Sequence, residues 1–256
     1  MGKILFLGNC CFDIVYYVDG YPAEDSDNRH ILQINTLGGN VVNSMKICAQ
    51  LDCRSQLFTA LPEGNPVFDS LLQEYRIDAS RCIRRNSKAE FPLTCVIVNS
   101  LTGSRTMFNS SKGIDWPTAQ EFSQKFPNFD DFTWAHFEIF SGYSHAELLK
   151  MMQYTKKMTH QRAKNSFKIS MELEHNNVPR DILPELIALA DLVLMSKDFA
   201  RDNGWTSMAE AVKSFQEKYN AKHATVICPW AELVRRGRYR ADNSKRQYIS
   251  DRSCRP

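Results

Sequence analysis

Long apolar runs, a secretory leader and metal-binding cysteine spacings are all missing from this sequence of 256 residues. The longest apolar stretch, residues 182–195, is interrupted by Glu185 and Asp191, which makes it too polar to cross a bilayer. Residues 1–7 are too short and too quickly polar for a signal peptide, and they instead predict a first strand. We therefore expect a cytoplasmic protein that makes no membrane contact.

Eight cysteines are present, but none belongs to a CxxC pair. No pair of them stands with histidines at the spacing that zinc sites use, so no bound metal is expected. Because a secretory signal is also missing, disulfides are not favoured. The pattern predicts reduced thiols, most of them packed as small apolar residues in the core.

A net positive charge is found only in the last part of the chain. The formal net charge is +3, yet residues 235–256 alone carry eight Arg or Lys and two Asp, a net charge of +6. The preceding part has 24 basic and 27 acidic residues. Residues 235–256 therefore form a divergent basic tail, which we expect to be disordered. Nucleic acid and anionic lipid are less favoured partners for it, because no aromatic stacking set or amphipathic face accompanies the charge.

Short β-rich runs alternate with helical patterns, which is typical of βα units around a mainly parallel sheet. The predicted strands are residues 3–7, 56–60, 132–137, 167–173, 191–195 and 224–228, and helices are predicted after Asn40, Pro66, Thr118, Ser144, Asp181 and Ser207. The starts at Thr118, Ser144 and Ser207 each have Glu three residues later, the spacing of a capping box.

Two segments depart from this alternation and predict antiparallel hairpins, one near residues 13–35 and one near residues 93–108. Together they predict a small sheet that projects from the main domain as a lid over a site. No low-complexity linker and no repeat divides residues 1–234. We therefore expect a single domain over that range.

Residues 38–44, Gly-Gly-Asn-Val-Val-Asn-Ser, are the most informative stretch. A Gly-Gly pair that leads into a helix lets the backbone approach a ligand closely. Asn40 and Asn43 then lie about one helical turn apart and can both point at a polyhydroxylated molecule. The alternative interpretation is a simple turn followed by a helix start.

Motifs spread over residues 3–232 resemble those of a known family. They lie at residues 9–13, 18–26, 38–44, 103–106, 134–138, 193–198 and 228–232. On these motifs the chain is identified as a member of the ribokinase-like (PfkB) carbohydrate kinases. It most resembles the ketohexokinase branch, to which Tyr-Pro-x-Glu-Asp-Ser and Trp-Ala-Glu are the more specific. The resemblance implies an α/β fold of the ribokinase-like three-layer sandwich type, with a mainly parallel central sheet and a small β lid.

The resemblance also implies a sugar pocket. In it, Asp13 accepts hydrogen bonds from two sugar hydroxyls, while Gly39, Asn40 and Asn43 line the same pocket. Taken alone, Asp13 is better interpreted as a turn acid after the first strand, whereas the nearby Gly-Gly-Asn motif favours the sugar-binding role.

A nucleotide site is implied in the same way, with ATP and Mg²⁺ as cofactors. Arg105 would reach the phosphates from the lid, a role suited to a bidentate guanidinium. Trp230, Ala231 and Glu232 would lie at the start of the adenosine-binding segment. Arg105 has an alternative interpretation as a solvated hairpin residue.

Two further motif positions have structural interpretations. Lys197 and Asp198 stand where the superfamily usually has a phosphate and magnesium motif, and they also suit the first turn of a helix. His136 ends an apolar run and is interpreted as a satisfied histidine near the core rather than as a ligand-binding group.

One family motif is missing from the sequence: a late Gly-Ala-Gly-Asp, whose glycine amides open a helix as an anion hole and whose aspartate is the base. The resemblance stops shortly after Glu232. It implies that the last strands and helices are missing, as a frameshift, a retained intron or an alternative exon would produce.

The expected function is therefore that of a ketohexokinase-type sugar kinase, an enzyme type that uses ATP to phosphorylate fructose to the 1-phosphate. Because the Gly-Ala-Gly-Asp motif is missing, we expect this form of the chain to be inactive. The alternative is a non-catalytic isoform that binds sugar. Such an isoform would form a homodimer, or a heterodimer with a full-length subunit, through the lid strands.

Overall fold

The computed structural model describes residues 2–29, 31–86, 92–110, 114–140, 142–160, 162, 166–175, 178–230 and 233–237. The chain divides into two compact units, Met1–Thr133 and Trp134–Pro256. In the described part of the chain, no helix is both long enough and apolar enough to cross a membrane.

The first unit combines two short parallel strand pairs with a four-stranded sheet and three helices. Its elements are β1 (Lys3–Leu7), β2 (Cys11–Val18), β3 (Leu32–Gly38), α1 (Asn40–Gln50), β4 (Ser55–Phe58), β5 (Ala60–Pro62), α2 (Pro66–Glu74), β6 (Ile83–Arg85), β7 (Leu93–Asn99), β8 (Arg105–Ser110) and α3 (Ala119–Lys125). Strand β1 pairs in parallel with β4, and β5 pairs in parallel with β6.

The four-stranded sheet has the order β3-β2-β7-β8. Strands β2 and β3 are antiparallel, as are β7 and β8, so both predicted hairpins are confirmed. Strands β2 and β7 pair in parallel and join the hairpins into one sheet. The predicted strand over residues 56–60 is instead divided at Thr59 between β4 and β5.

The core of the first unit includes a cluster of buried phenylalanine rings. Phe126 lies at its centre, with ring centroids 5.4 Å from Phe58 and 5.0 Å from Phe122. Helix α3 supplies Phe122, Phe126 directly follows its last residue, and the helix begins with the predicted capping box, in which Thr118 and Glu121 bond each other's backbone N–H groups. Packing and capping therefore fix the same helix.

The second unit is a mainly parallel sheet with helices between successive strands. Its elements are β9 (Phe132–Ile139), α4 (His145–Thr159), β10 (Lys168–Leu173), α5 (Ile182–Leu189), β11 (Leu192–Met195), α6 (Lys197–Asp202), α7 (Met208–Lys218), β12 (Thr225–Trp230) and β13 (Leu233–Gly237). Strands β9 to β12 are parallel neighbours in chain order. The predicted α/β fold with a mainly parallel sheet is therefore confirmed.

Helix starts in this unit follow their predicted caps. The Ser144 and Ser207 side chains accept from Glu147 N–H and Glu210 N–H, respectively. The Glu210 carboxylate also accepts from Thr206, one residue before the predicted partner. Helix α6 was not among the predicted helices; Lys197 and Asp198 lie in its first turn, as one of their two interpretations predicted.

The beginning of the expected disordered tail is a strand. Strand β13 includes residues 235–237 and pairs antiparallel with β12, with Leu233 opposite Trp230. Only two residues separate these partners in the sequence, a length that favours a tight hairpin whatever the side-chain pattern. Residues 235–237 of the expected disordered tail therefore belong to a strand, and the rest of the tail, residues 238–256, lies outside the described residues.

Candidate functional site

Asp13 lies within strand β2 rather than in a turn, so the turn interpretation is wrong. In the sheet register it faces Thr36 of β3 on one side and Thr94 of β7 on the other. Asn109 of β8 lies directly opposite Thr94. Because residues in register share one face of a sheet, these four side chains form one row, which we call the polar row.

The glycines Gly38 and Gly39 leave the space in which the Asp13 carboxylate and the adjoining backbone lie. A side chain at Gly38 would collide with the Asp13 carboxylate, and a side chain at Gly39 would collide with the carbonyl oxygen of Asn9. Gly39 also has φ +98°, a conformation that residues with a side chain rarely adopt. The Gly-Gly pair is therefore required both for space and for backbone conformation.

Helix α1 starts at this point, with the Gly39 carbonyl accepting from Asn43 N–H at 2.9 Å. Asn40 is the first residue of the helix and is half-buried, whereas Asn43 is exposed. The structure thus brings Asp13, Gly39 and Asn40 together at the end of β3 and the start of α1. Asn43 lies one turn further along the same helix.

Lys46, on the next turn of α1, supports the segment before the glycines. Its Nζ donates to the Leu37 carbonyl at 2.5 Å and to Thr36 Oγ1 at 3.1 Å, and it lies 4.2 Å from the ring centroid of Tyr75. Burial lowers the pKa of the Lys46 ammonium, while the nearby Asp13 carboxylate acts in the opposite direction. Lys46 was not among the predicted site residues, although its spacing of three from Asn43 places it on the same helix face.

The Cys11 side chain contacts two members of the polar row. The Cys11 thiol donates to Asp13 Oδ1 at 3.1 Å, and Thr94 Oγ1 lies 3.6 Å from Cys11 Sγ. Thr94 Oγ1 donates to Asn109 Oδ1 at 3.0 Å. Two hydrogen bonds and the contact between Thr94 and Cys11 therefore connect Asp13 across three strands to Asn109. The seven cysteines in the described residues are free thiols, as predicted, and four of them are buried.

Arg105 is not brought close to Asp13. It is exposed at the start of β8 and pairs with Val98, four residues beyond the partner of Asp13. The two residues share a face of the sheet but are separated by two strands and four positions, roughly 16 Å. Its exposure leaves both the phosphate-binding role and the solvated role open.

Trp230 is the described residue of the predicted adenosine segment, since Ala231 and Glu232 lie outside the described residues. It ends β12 and is half-buried. Lys197 Nζ and Arg201 Cζ of α6 lie 5.6 Å and 6.0 Å from its ring centroid. An aromatic face beside two cations suits a base and an anionic group, respectively.

His136 is a satisfied buried histidine, as predicted. Its Nδ1 lies 2.8 Å from Ser170 Oγ, which also accepts the indole N–H of Trp134 at 2.7 Å. Because the serine oxygen already accepts from Trp134, its own hydrogen is available to Nδ1. Both His136 and Ser170 are buried, so this network stabilises the sheet of the second unit rather than a solvent-accessible site.

A comparison with family models matches residues 1–228 to the pfkB family carbohydrate kinases. Ketohexokinase from Mus musculus is 31% identical over 234 residues, which cover 90% of this chain and 75% of that protein.

Solved structures show the same fold. Ribokinase from Giardia lamblia superposes with a TM-score of 0.71 at 14% identity, covering 96% of this chain and 75% of that one. Ribokinase from Cryptococcus neoformans in complex with ADP gives 0.65 at 11% identity, covering 95% and 80%. The family match over residues 1–228 and the 31% identity to a ketohexokinase show that the chain belongs to the PfkB family of carbohydrate kinases.

Proposed function

We propose that this protein is a cytoplasmic sugar kinase of the ketohexokinase type, whose reaction is the transfer of the γ-phosphoryl group of ATP to the 1-hydroxyl of fructose. The observation that carries the proposal is the Asp13 carboxylate, which lies directly against Gly38 where helix α1 begins. A carboxylate can accept from two adjacent hydroxyls, and the lack of a side chain at residue 38 leaves room for this carboxylate at the start of the helix.

In this proposal the sugar is bound entirely by the first unit. Asp13 accepts from two hydroxyls, and Gly39, Asn40 and Asn43 contribute backbone and amide groups from the start of α1. Lys46 acts as a positioning residue, because it bonds the Leu37 carbonyl that precedes the glycines. The 31% identity to the mouse ketohexokinase supports a ketose as the substrate class.

In the second unit, the proposed adenosine-binding segment begins at Trp230, and Arg105 of the first unit is separately proposed to contact phosphate. The cations of Lys197 and Arg201 beside the Trp230 ring fit an adenine base and its phosphates. Within the described residues, no three Asp, Glu, His or Cys side chains converge as a metal cage. Mg²⁺ commonly takes only one or two protein carboxylates and completes its coordination shell with substrate phosphates and water. The proposed Mg²⁺ would therefore be coordinated mainly by the phosphates of the nucleotide and by water.

We further propose that the 256-residue chain binds sugar but does not turn over by itself. Its sequence contains no Gly-Ala-Gly-Asp, the motif expected to supply the base and the anion hole. Loss of a general base alone typically costs about 10²- to 10⁴-fold in rate, and loss of the anion hole adds to that.

Titration calorimetry with fructose, together with a coupled assay for ADP release, tests both parts. We expect fructose to bind the wild-type chain, and Asp13→Asn to weaken binding at least about tenfold, since charge-assisted hydrogen bonds are lost. Asp19→Asn, one residue past the end of β2, is the matched control and should bind normally. Fructose binding that ignores Asp13 would contradict the sugar site, and ADP release dependent on fructose would contradict the predicted inactivity.

A second candidate is a non-catalytic subunit that dimerises through the four-stranded sheet. An exposed apolar band on the Asp13 face of this sheet favours it, with Leu32 60%, Ile34 42% and Met107 48% exposed. The proposed occupant is the same sheet of a second copy or of a full-length relative. Sedimentation of Ile34→Lys should show loss of a dimer, whereas Asn35→Lys on the opposite face should retain it. A wild-type chain that sediments as a monomer alone and with a full-length relative would contradict this candidate.

A further inference from the structure

We infer that Asn109, held by Thr94, is a second hydroxyl-recognising group of the sugar site and sets which sugars are accepted. The inference rests on the proposed function, because it takes the Asp13 row as the place where the sugar lies. It adds a specificity residue from strand β8 to a site otherwise built from β2, β3 and α1.

The sheet register is the first support. Asp13 pairs with Thr94, and Thr94 pairs with Asn109, so the two outer residues lie on one face with a single strand between them. Two strand spacings separate their backbones by roughly 10 Å, and both side chains reach inward from that distance. A hexose lying across β7 is therefore within reach of both groups.

Hydrogen bonding gives Asn109 a defined chemical role. Thr94 Oγ1 donates to Asn109 Oδ1 at 3.0 Å, which directs the amide oxygen toward the middle of the row. Among the described residues, no group accepts from Asn109 Nδ2. The amide therefore offers two N–H donors from an exposed position on the same face as Asp13.

The two ends of the row have opposite hydrogen-bonding character. An ionised Asp13 only accepts, whereas the Asn109 amide nitrogen only donates. A ligand that satisfies both must present hydroxyl hydrogens at one end and a hydroxyl or ring oxygen at the other. A site built in this way discriminates strongly against analogues that lack the matching oxygen.

Thr94 and Cys11 act as positioning residues. Thr94 is buried and orients the Asn109 amide, while the Cys11 thiol bonds Asp13 Oδ1. The 3.6 Å contact between Thr94 Oγ1 and Cys11 Sγ joins the two ends. A change at Thr94 should therefore alter sugar preference without removing either recognition group.

The test measures Kd for D-fructose and for its monodeoxy analogues by titration calorimetry. Asn109→Asp keeps the acceptor for Thr94 and removes both donors, and Asn109→Ala removes the amide without adding charge. The matched control is Asn35→Asp. Asn35 is exposed like Asn109, and its Oδ1 also accepts a side-chain hydrogen bond, in this case from Gln33 Nε2 at 2.9 Å, but it lies on the opposite face of the sheet. Thr94→Val tests positioning, with Thr94→Ser as the conservative rescue.

Both Asn109 variants should bind fructose about tenfold more weakly, while Asn35→Asp stays within about twofold of the wild type. One monodeoxy analogue should have the same Kd for the wild type and for Asn109→Ala. The hydroxyl missing from that analogue is then the one that Asn109 contacts. Thr94→Val should reduce the preference for fructose over that analogue, and Thr94→Ser should restore it.

The failures are distinguishable. Fructose binding that depends on Asp13 but not on Asn109 overturns this inference alone and leaves the proposed function standing. A wild-type chain that binds no sugar of the panel overturns both. An Asn109 effect that is equal for every analogue also overturns the inference, because a general structural effect would produce that result.

Discussion

The Asp13 carboxylate occupies the space that any side chain at Gly38 would need. The two residues are 25 positions apart, but antiparallel pairing of β2 and β3 brings Cys11 opposite Gly38 and Asp13 opposite Thr36. A glycine motif and an upstream acid are thus one structural unit. The position of the carboxylate is set by the missing side chain as much as by its own bonds.

Gly38→Ala should therefore impair the proposed sugar site directly. The added methyl group must displace the Asp13 carboxylate, so we expect fructose affinity to fall at least about tenfold and unfolding to become about 1–3 kcal/mol easier. Calorimetry and urea unfolding measure the two effects.

Gly103→Ala is the control for this substitution. Gly103 has φ +70° in the turn between β7 and β8, and a methyl group there meets no other atom within 4 Å. It should cost about 1 kcal/mol of stability through backbone strain, with fructose binding unchanged. If Gly38→Ala binds fructose like the wild type, the carboxylate does not need the space that the glycine provides.

Trp230→Leu tests the nucleotide half separately. Stacking of a base on an aromatic ring is worth about 1–3 kcal/mol, so we expect ADP affinity to fall about tenfold or more while fructose affinity is retained. Trp116→Leu, in the first unit, is the matched control. Equal ADP affinity of Trp230→Leu and the wild type would remove Trp230 from the site.

The sequence predicted the elements that depend on local patterns. The helix after Gly39 and the capping box at Thr118 were predicted because a few adjacent residues determine them. Asp13 was assigned to the site only through the resemblance, since its contact with Gly38 depends on strand register. Sequence patterns do not predict the register of two strands that are far apart along the chain.

The missed features share that cause. Thr94 and Asn109 join the polar row through the pairing of β2 with β7, some 80 residues along the chain. The predicted strand over residues 56–60 divides because its partner changes: the Thr59 carbonyl accepts from Ile83 N–H, which begins the pairing with β6. Neither feature has a signal within its own segment.

Acid should destabilise the protein partly through Glu121. Both guanidinium nitrogens of Arg85 bond its carboxylate, at 2.6 Å and 3.0 Å, and this bonding lowers the pKa of Glu121 to about 2 from the usual 4.5. The folded state keeps the carboxylate ionised, whereas the unfolded chain binds a proton near pH 4.5. The stabilisation is therefore complete above about pH 5 and is lost as the pH falls toward 2.

We expect this effect to be on the order of 1–2 kcal/mol, because partial exposure of the pair screens it. Urea unfolding between pH 7 and pH 3 measures it. Glu121→Gln should be less stable at pH 7 and should lose less stability on acidification. Glu217→Gln, which removes an exposed carboxylate of α7, is the control. An unchanged acid slope in Glu121→Gln would show that the ion pair does not contribute.

Lys46→Met should separate sugar binding from stability. The partly buried ammonium loses hydration, which is why its pKa is lowered, and a methionine removes that cost together with the bonds to Leu37 and Thr36. These effects oppose each other, so we expect stability to change by less than about 1 kcal/mol. The Leu37 carbonyl, however, loses its anchor directly before the glycines, so fructose affinity should fall about threefold to tenfold. Lys125→Met, exposed at the end of α3, is the control and should leave both quantities unchanged. A large loss of stability with unaltered fructose affinity would instead make Lys46 a purely structural residue, and the site would end at the Gly-Gly pair.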